Sequence, residues 1–387
     1  MERFENNLMS TVALVRCESY ESGDVRRAVQ KGIDLLGGAG KFARKDEKIL
    51  LKANLLVGEA PEKCVTTHPA VLGAVAEIFK ATGARLSYGD SPIIGTARAA
   101  SRKVGLDVVA HAAGIELKEF QPGREVHFPE GLQNRKFTIA NAVLESDGVI
   151  SLPKLKAHGM QKLTGCVKNQ FGCIPGLLKG EFHVRIPDAC QFAQMLVDLD
   201  RLVQPRLYIM DGIVAMEGNG PRGGTPRTMN VLLFSEDPIA VDATVCRLID
   251  LDPLLVPTIA FGQAAGRGTH EREKIELLGD AFDSFRCHDF VIDRTSIKPY
   301  KEKGALRFLN NRLVPKPVIS REKCIKCGLC ISVCPTKPKA VDWRYGDKTQ
   351  APVHDYRKCI RCYCCQELCP EKAIELKKPL LRRALSF

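Results

Sequence analysis

Two cysteine runs carry the clearest chemistry in this chain: Cys324-Ile-Lys-Cys327-Gly-Leu-Cys330-Ile-Ser-Val-Cys334-Pro335 and Cys359-Ile-Arg-Cys362-Tyr-Cys-Cys365-Gln-Glu-Leu-Cys369-Pro370. Both read C-x₂-C-x₂-C-x₃-C-P, the spacing that ligates a cubane iron–sulfur cluster. Three thiolates two residues apart on a tight loop turn inward, each onto a different iron. The fourth, beside the proline-marked turn, faces back toward a second cluster. The expected sets are therefore Cys324, Cys327, Cys330 and Cys369 for one [4Fe–4S] cluster, and Cys334, Cys359, Cys362 and Cys365 for the other. Zinc sites favour paired C-x₂-C units over triplets, and disulfides suit an oxidising compartment. Cys364 falls out of frame beside Cys365 and reads as a bystander.

A second group of polar residues lies where predicted strands end, the place where α/β sheets hold ligands. These are Asn54, Thr66 to His68, Asp90, Ser91, Lys154, Lys156, His158, Lys168, Asn169 and Asp211. Each alone reads as a helix cap or a partner for loop backbone; together they make a candidate substrate site. Lys154, Lys156 and His158 are the candidate catalytic residues. In an extended segment entered through Pro153, alternate side chains share a face, so the three would point one way. Such crowding is unfavourable unless an anion or a neutralised lysine sits among them. The bland alternative is a solvated basic loop. Gly218-Asn-Gly-Pro-Arg-Gly223 matches G-x-G-x-x-G, but prolines flank it and a strand follows. It offers no helix N-terminus to a pyrophosphate and reads instead as a loop over the site, carrying Glu217 and Asn219.

The elements that must position these residues alternate strand and helix. Apolar runs at residues 11–17, 49–56, 85–88, 149–152, 207–210 and 231–234 read as strands. Helical spacing follows Pro69 and recurs at residues 163–171, 187–202, 239–249 and 256–265. This predicts an α/β domain with a mostly parallel sheet over residues 10–282. A linker rich in Lys, Arg and Pro follows at 283–319, then the small cysteine module at 320–376 and a basic tail at 377–387. The insert between the cysteine runs, with Trp343 and Tyr345, is expected to form a hairpin or loop.

Bulk composition narrows the setting. With 45% hydrophobic and 26% charged residues, the chain is an ordinary globular protein with room for more than one core. The formal charge of +12 counts ligating cysteines as neutral; what remains suits acidic partners or an anionic substrate. It lacks the basic and aromatic interleaving of a nucleic-acid surface. Of sixteen cysteines, half belong to the cluster motifs and the rest show no paired framework, which fits a reducing interior. No signal-peptide pattern and no apolar run of membrane-spanning length are seen, so a cytoplasmic location is expected.

Several of these stretches resemble one family. Lys52-Ala-Asn54, Thr67-His68-Pro69, Gly89-Asp90-Ser91-Pro92, Leu152-Pro-Lys154-Leu-Lys156-Ala-His158, Gly165-Cys-Val-Lys168-Asn169, Met210-Asp211-Gly212 with Glu217-Gly-Asn219-Gly220-Pro221, and Asp237-Pro with Val241-Asp242 resemble the domain-of-unknown-function 362 (DUF362) family across residues 10–270. The cysteine module resembles the α+β two-cluster 4Fe–4S ferredoxin domain. The resemblance implies a prokaryotic iron–sulfur protein with a redox role, and no substrate. Three functions fit. One is a redox protein, and if an enzyme an oxidoreductase, whose two [4Fe–4S] clusters exchange low-potential electrons with a small anionic substrate or cofactor. The second is a ferredoxin-like carrier whose large domain docks a partner enzyme. The third is an iron–sulfur or metal maturation factor. A redox partner protein is expected, and a flavin is left open.

Overall fold

The structure is a computed structural model that describes residues 9–176, 178–297 and 314–377. Part of the expected linker and the tail beyond residue 377 lie outside the described residues. Strands β1 (Ser10–Arg16), β2 (Lys48–Lys52), β3 (Arg85–Gly89) and β4 (Glu116–Leu117) open the main sheet. A separate hairpin, β5 (Gly123–His127) with β6 (Lys136–Ala140), precedes β7 (Gly148–Ser151), β8 (Lys154–His158) and β9 (Lys162–Thr164). The sheet is completed by β10 (Leu207–Glu217), β11 (Thr225–Ser235) and β12 (Ile275–Gly279). Its ten strands run β12-β1-β11-β10-β7-β2-β3-β4, with β8 beside β10 and β9 beside β8. The β2–β3, β2–β7, β3–β4, β7–β10, β8–β10 and β1–β12 pairs are parallel. β11 runs against both β1 and β10. The domain is α/β, dominated by parallel pairing as the alternation predicted.

Both faces of the sheet are covered, as parallel sheets require. Along β1, Val12 and Leu14 join one apolar core while Ala13 and Val15 join the other. Helices Ser22–Leu35 and Pro69–Lys80 bury Val25, Val29, Val71, Leu72 and Val75 in the second core. Ala189–Val203 and Pro238–Leu248 supply the first.

Three elements depart from expectation. β2 ends at Lys52 rather than running to residue 56, because side chains take over its backbone. Asn54 N–H donates to Thr67 Oγ1 and Leu55 N–H to Asp90 Oδ2. The expected helix at 163–171 is the strand β9, then Cys166–Asn169 and a 3₁₀ turn. The break falls at Gly165, where a Cβ would lie 2.2 Å from the carboxylate of Asp242. That carboxylate accepts from Cys166 N–H at 2.7 Å and so caps the new helix. β10 and β11 are each eleven residues long, far beyond their apolar centres, because they form one long hairpin.

The cysteine module begins and ends in one antiparallel pair, β13 (Lys316–Ile319) with β16 (Ile374–Lys377). The insert between the cysteine runs closes through a two-residue pairing, β14 (Val341–Asp342) with β15 (Val353–His354). Short helices Leu329–Ser332 and Cys364–Glu367 carry the third cysteines, Cys330 and Cys365.

Candidate functional site

The eight motif cysteines surround two separate voids. Cys324, Cys327, Cys330 and Cys369 line one cavity with Ile319, Leu329 and Ile374. Cys334, Cys359, Cys362 and Cys365 line the other with Pro317, Val341 and Tyr363. Each cavity holds three thiols of one run and the last thiol of the other. Burial and the neighbouring Cys324, Cys327 and Cys369 push the Cys330 thiol up to about 12. The Cys365 thiol is pushed up likewise, by burial and then by Cys362, Cys359, Cys330 and Cys334. Soft thiols crowded on a mostly apolar void fit a cubane cluster. Among the described residues, no three His, Cys, Asp or Glu side chains converge as they would on a single ion.

The two voids differ in setting. Cys327 is exposed and its neighbour Ile325 is 60% exposed, whereas Cys362, Cys364 and Cys365 are buried. The buried run faces the α/β domain. Leu368 packs against Val57, Val65 and Met216. Gln366 Nε2–H donates to Asn219 Oδ1 at 2.6 Å, and Asn219 Nδ2–H returns a bond to the Ile374 carbonyl. Lys372 Nζ donates to the Gly224 carbonyl at 2.6 Å. Arg222 bridges Glu59 and the Leu368 carbonyl. Burial works against an ionised Glu59, but Arg222 and Lys63 outweigh it and hold its pKa below the usual range. The loop between β10 and β11 therefore docks the cysteine module. Its Asn219 serves that contact, and Glu217 accepts from Val291 N–H at 2.8 Å.

The strand-end residues fall into two buried networks. In one, Lys154 Nζ lies 2.8 Å from Asp211 Oδ2 and donates to the Tyr20 hydroxyl at 2.7 Å. Tyr20 donates to Asp211 Oδ1 at 2.8 Å, and His68 N–H donates to Asp211 Oδ2 at 3.1 Å. The His68 ring stacks 3.6 Å from Tyr20, and its Nδ1 accepts from Ala70 N–H as a helix cap. Burial pushes His68 down to about 4, although Asp211 opposes this.

In the other network, Lys52 Nζ pairs with Asp90 Oδ1 at 2.8 Å, with 0% and 3% of the two side chains exposed. Asn169 Oδ1 accepts from Lys52 and from Asn54 Nδ2–H, and Lys156 Nζ donates to Asn54 Oδ1 and the Val65 carbonyl, both at 2.6 Å. Ser91 Oγ accepts from Gly176 N–H and from Lys179, a lysine that burial pushes down to about 7. Burial, with Lys168 and Lys154 nearby, pulls Lys156 well below the ordinary lysine value.

His158 ends β8 at the seam with the cysteine module. Its Nδ1 accepts from Met160 and Gln161 N–H, which leaves the neutral ring's proton on Nε2. Nε2 lies 3.1 Å from Glu367 Oε1, out of line for a hydrogen bond. Burial, then Lys168, drives His158 well below its usual value. Burial drives Glu367 upward, with Lys168 and Lys156 pulling the other way. Burial pulls Lys168, on the helix Cys166–Asn169, below the ordinary lysine value, with Glu367 and Cys364 working the other way.

Sequence spacing missed Glu367, Gln366, Arg222, Lys52, Tyr20 and Lys179. Lys52 alone left a signal, a cation closing an otherwise apolar strand. His158 and Glu367 sit on different modules, and nothing local joins them.

Comparisons with known proteins follow this division. Residues 49–247 match the family described as domain of unknown function DUF362, and residues 323–373 match a 4Fe–4S dicluster domain. A thylakoid-associated protein of Synechocystis sp. is 36% identical over 260 residues, covering 67% of this chain and 80% of the relative. Among solved structures, the lactate racemase apoprotein from Thermoanaerobacterium thermosaccharolyticum is 12% identical, with a TM-score of 0.38 over 62% of this chain. A Thermotoga maritima protein is 8% identical, with a TM-score of 0.35 over 65% of this chain. The chain spans 57% and 60% of those two structures. No helix among the described residues is long and apolar enough to cross a membrane.

Proposed function

Since this chain belongs to the DUF362 family and carries a 4Fe–4S dicluster domain with an electron-transfer role, we propose that it is a cytoplasmic redox protein. In this reading, two [4Fe–4S] clusters exchange electrons with a small anionic substrate or cofactor at the α/β domain. Cys324, Cys327, Cys330 and Cys369 hold one cluster, and Cys334, Cys359, Cys362 and Cys365 the other. When bound, such clusters supply one-electron transfer. The observation that carries the reading is the seam: the helix bearing Cys364 and Cys365 ends in Glu367, 3.1 Å from His158 of the sheet.

The protein's own groups then have distinct tasks. His158 holds a proton on Nε2 next to the seam, and Lys156 and Lys168 supply the positive field that favours growing negative charge. Lys154 acts as a strut, tied to Asp211 and Tyr20. Asn54 holds Lys156, Asn169 and Asp90 hold Lys52, Ser91 accepts from Lys179, and Asp211 fixes His68. The exposed Cys327 loop, with Ile325, is the side on which a redox partner protein lands.

The test offers pre-reduced, oxygen-free holoprotein to fractions of a protein-free metabolite extract and follows reoxidation by absorbance. The expected result is reoxidation by an anionic fraction, lost in His158→Gln at unchanged iron content. Reoxidation only when a second protein is added would replace this reading with that of a carrier.

A further inference from the structure

The insert between the two cysteine runs brings a side chain to one of the cavities. Its closing pair, β14 with β15, sets His354 opposite Val341, and both residues line the cavity of Cys334, Cys359, Cys362 and Cys365. His354 Nε2 lies 3.4 Å from Cys365 Sγ, in hydrogen-bonding geometry. A ligating thiolate has no proton to give, so the ring nitrogen is the donor. The ring is braced. It stacks on Tyr356 with centroids 5.9 Å apart and planes at 7°, and the Tyr356 hydroxyl donates to the Pro317 carbonyl at 2.9 Å. Lys316 and Arg361 each lie 5.1 Å from the centre of the Tyr356 ring.

In the same cavity Cys334 Sγ accepts from Ala340 N–H at 3.4 Å and lies 3.3 Å from Thr336 Oγ1. In the other cavity Cys369 Sγ accepts from Ala373 N–H at 3.3 Å. The position that matches Thr336 after the Cys-Pro pair is there Glu371, an acid on the lining. The two runs share one ligand spacing, so their surroundings are what distinguish them.

We propose that His354 is a positioning residue for the cluster on Cys334, Cys359, Cys362 and Cys365, raising its reduction potential through the N–H···S bond to Cys365. Hydrogen bonds to the sulfurs are one of the levers on such potentials. When one electron enters, negative charge on the sulfur grows and the bond strengthens, as charge-assisted bonds do. The reduced form therefore gains more than the oxidised one, and no proton has to move. The helix Cys364–Glu367, which carries Cys365, docks on the α/β domain through Gln366, so the ring acts on the cluster of the buried run. The insert thus delivers a donor from outside the ligand motifs. This rests on the reading that the cysteine module holds two clusters, and it adds what poises one of them.

The experiment is a reductive titration of oxygen-free holoprotein followed by electron paramagnetic resonance, with iron and sulfide content measured in parallel. His354→Phe keeps a ring on Tyr356 and removes the N–H, and His354→Gln puts an amide N–H back. In His354→Phe one cluster is expected to become harder to reduce by about tenfold in its equilibrium constant, ~59 mV for a one-electron couple. The other midpoint stays where it is, and His354→Gln recovers part of the shift. Unmoved midpoints in loaded His354→Phe, a shift of both clusters, or a shift that His354→Gln leaves undiminished overturns the proposal. If His354→Phe fails to load, the wild type decides. Reduced protein grown with ¹⁵N-histidine is expected to show a histidine nitrogen coupled to one cluster in pulsed resonance spectra, and no such coupling overturns the proposal. A wild type without iron and sulfide refutes the cluster reading and this proposal with it, whereas loaded clusters indifferent to His354 refute this proposal alone.

Discussion

At the residue scale, the α/β domain stakes its stability on buried charge that is paired. Lys154 and Asp211 are 1% and 0% exposed and share Tyr20. Removing one partner strands the other, a loss of about 3–5 kcal/mol, whereas replacing both with apolar groups costs far less. Urea unfolding is therefore expected to show Asp211→Ala as much less stable than wild type, with the double variant Lys154→Met/Asp211→Leu recovering most of the loss. Equal losses in both would show that the pair is not coupled. Gly172 is a tighter constraint: a Cβ there would lie 1.9 Å from Asp90 Oδ1 and 2.6 Å from Lys52 Nζ. Gly172→Ala is expected to prise that ion pair apart and lower the thermal midpoint by several degrees or more.

His183 sets a pH dependence. It is buried among Phe171 and Phe192, and burial, then Lys168, pushes it down to about 3. Below its ordinary value of 6.5 the unfolded chain takes up a proton that the folded chain refuses. Its contribution is whole above that pH and drains away as pH falls toward 3. The wild type should therefore lose stability relative to His183→Phe between pH 7.5 and 5.5. Parallel unfolding curves across that range would contradict the assignment.

At the element scale, the long β10–β11 hairpin is the piece that converts fold into site. Its loop holds the cysteine module through Asn219, Arg222 and the Gly224 carbonyl. Asn219→Ala removes the bonds to Gln366 and the Ile374 carbonyl and is expected to cost about 1–2 kcal/mol of local stability. Faster hydrogen exchange confined to residues 363–376 would show this, and unchanged exchange there would refute the docking role. This hairpin also marks where the sequence stopped being legible. The cysteine runs spoke plainly because ligands on one tight loop must be close in sequence, and the strand–helix alternation gave the α/β class for a similar local reason. The strand-end polar residues did come together, but as two networks rather than one site. Partners such as Tyr20 and Glu367 lie far away in the chain, and no periodicity encodes such a meeting. Likewise the G-x-G-x-x-G stretch reads as a loop over the site, but the contacts it makes depend on a surface that only the folded second module provides.

At the scale of the whole molecule, two families of chemistry share one interface. The α/β domain contributes cations and a neutral histidine, and the cysteine module contributes thiols and a buried glutamate. Arg321, Lys323, Lys326, Arg344, Arg357 and Lys358 of the cysteine module are exposed, and in the proposed reading they would attract an acidic partner. All of this depends on the eight thiols holding iron. The most direct measurement is iron and acid-labile sulfide analysis of protein purified without oxygen, joined to electron paramagnetic resonance after reduction. The account predicts roughly eight of each per chain and the signals of two reduced cubanes, with the Cys330→Ser and Cys365→Ser variants each losing about half. A colourless chain without iron, or one carrying zinc alone, would contradict it.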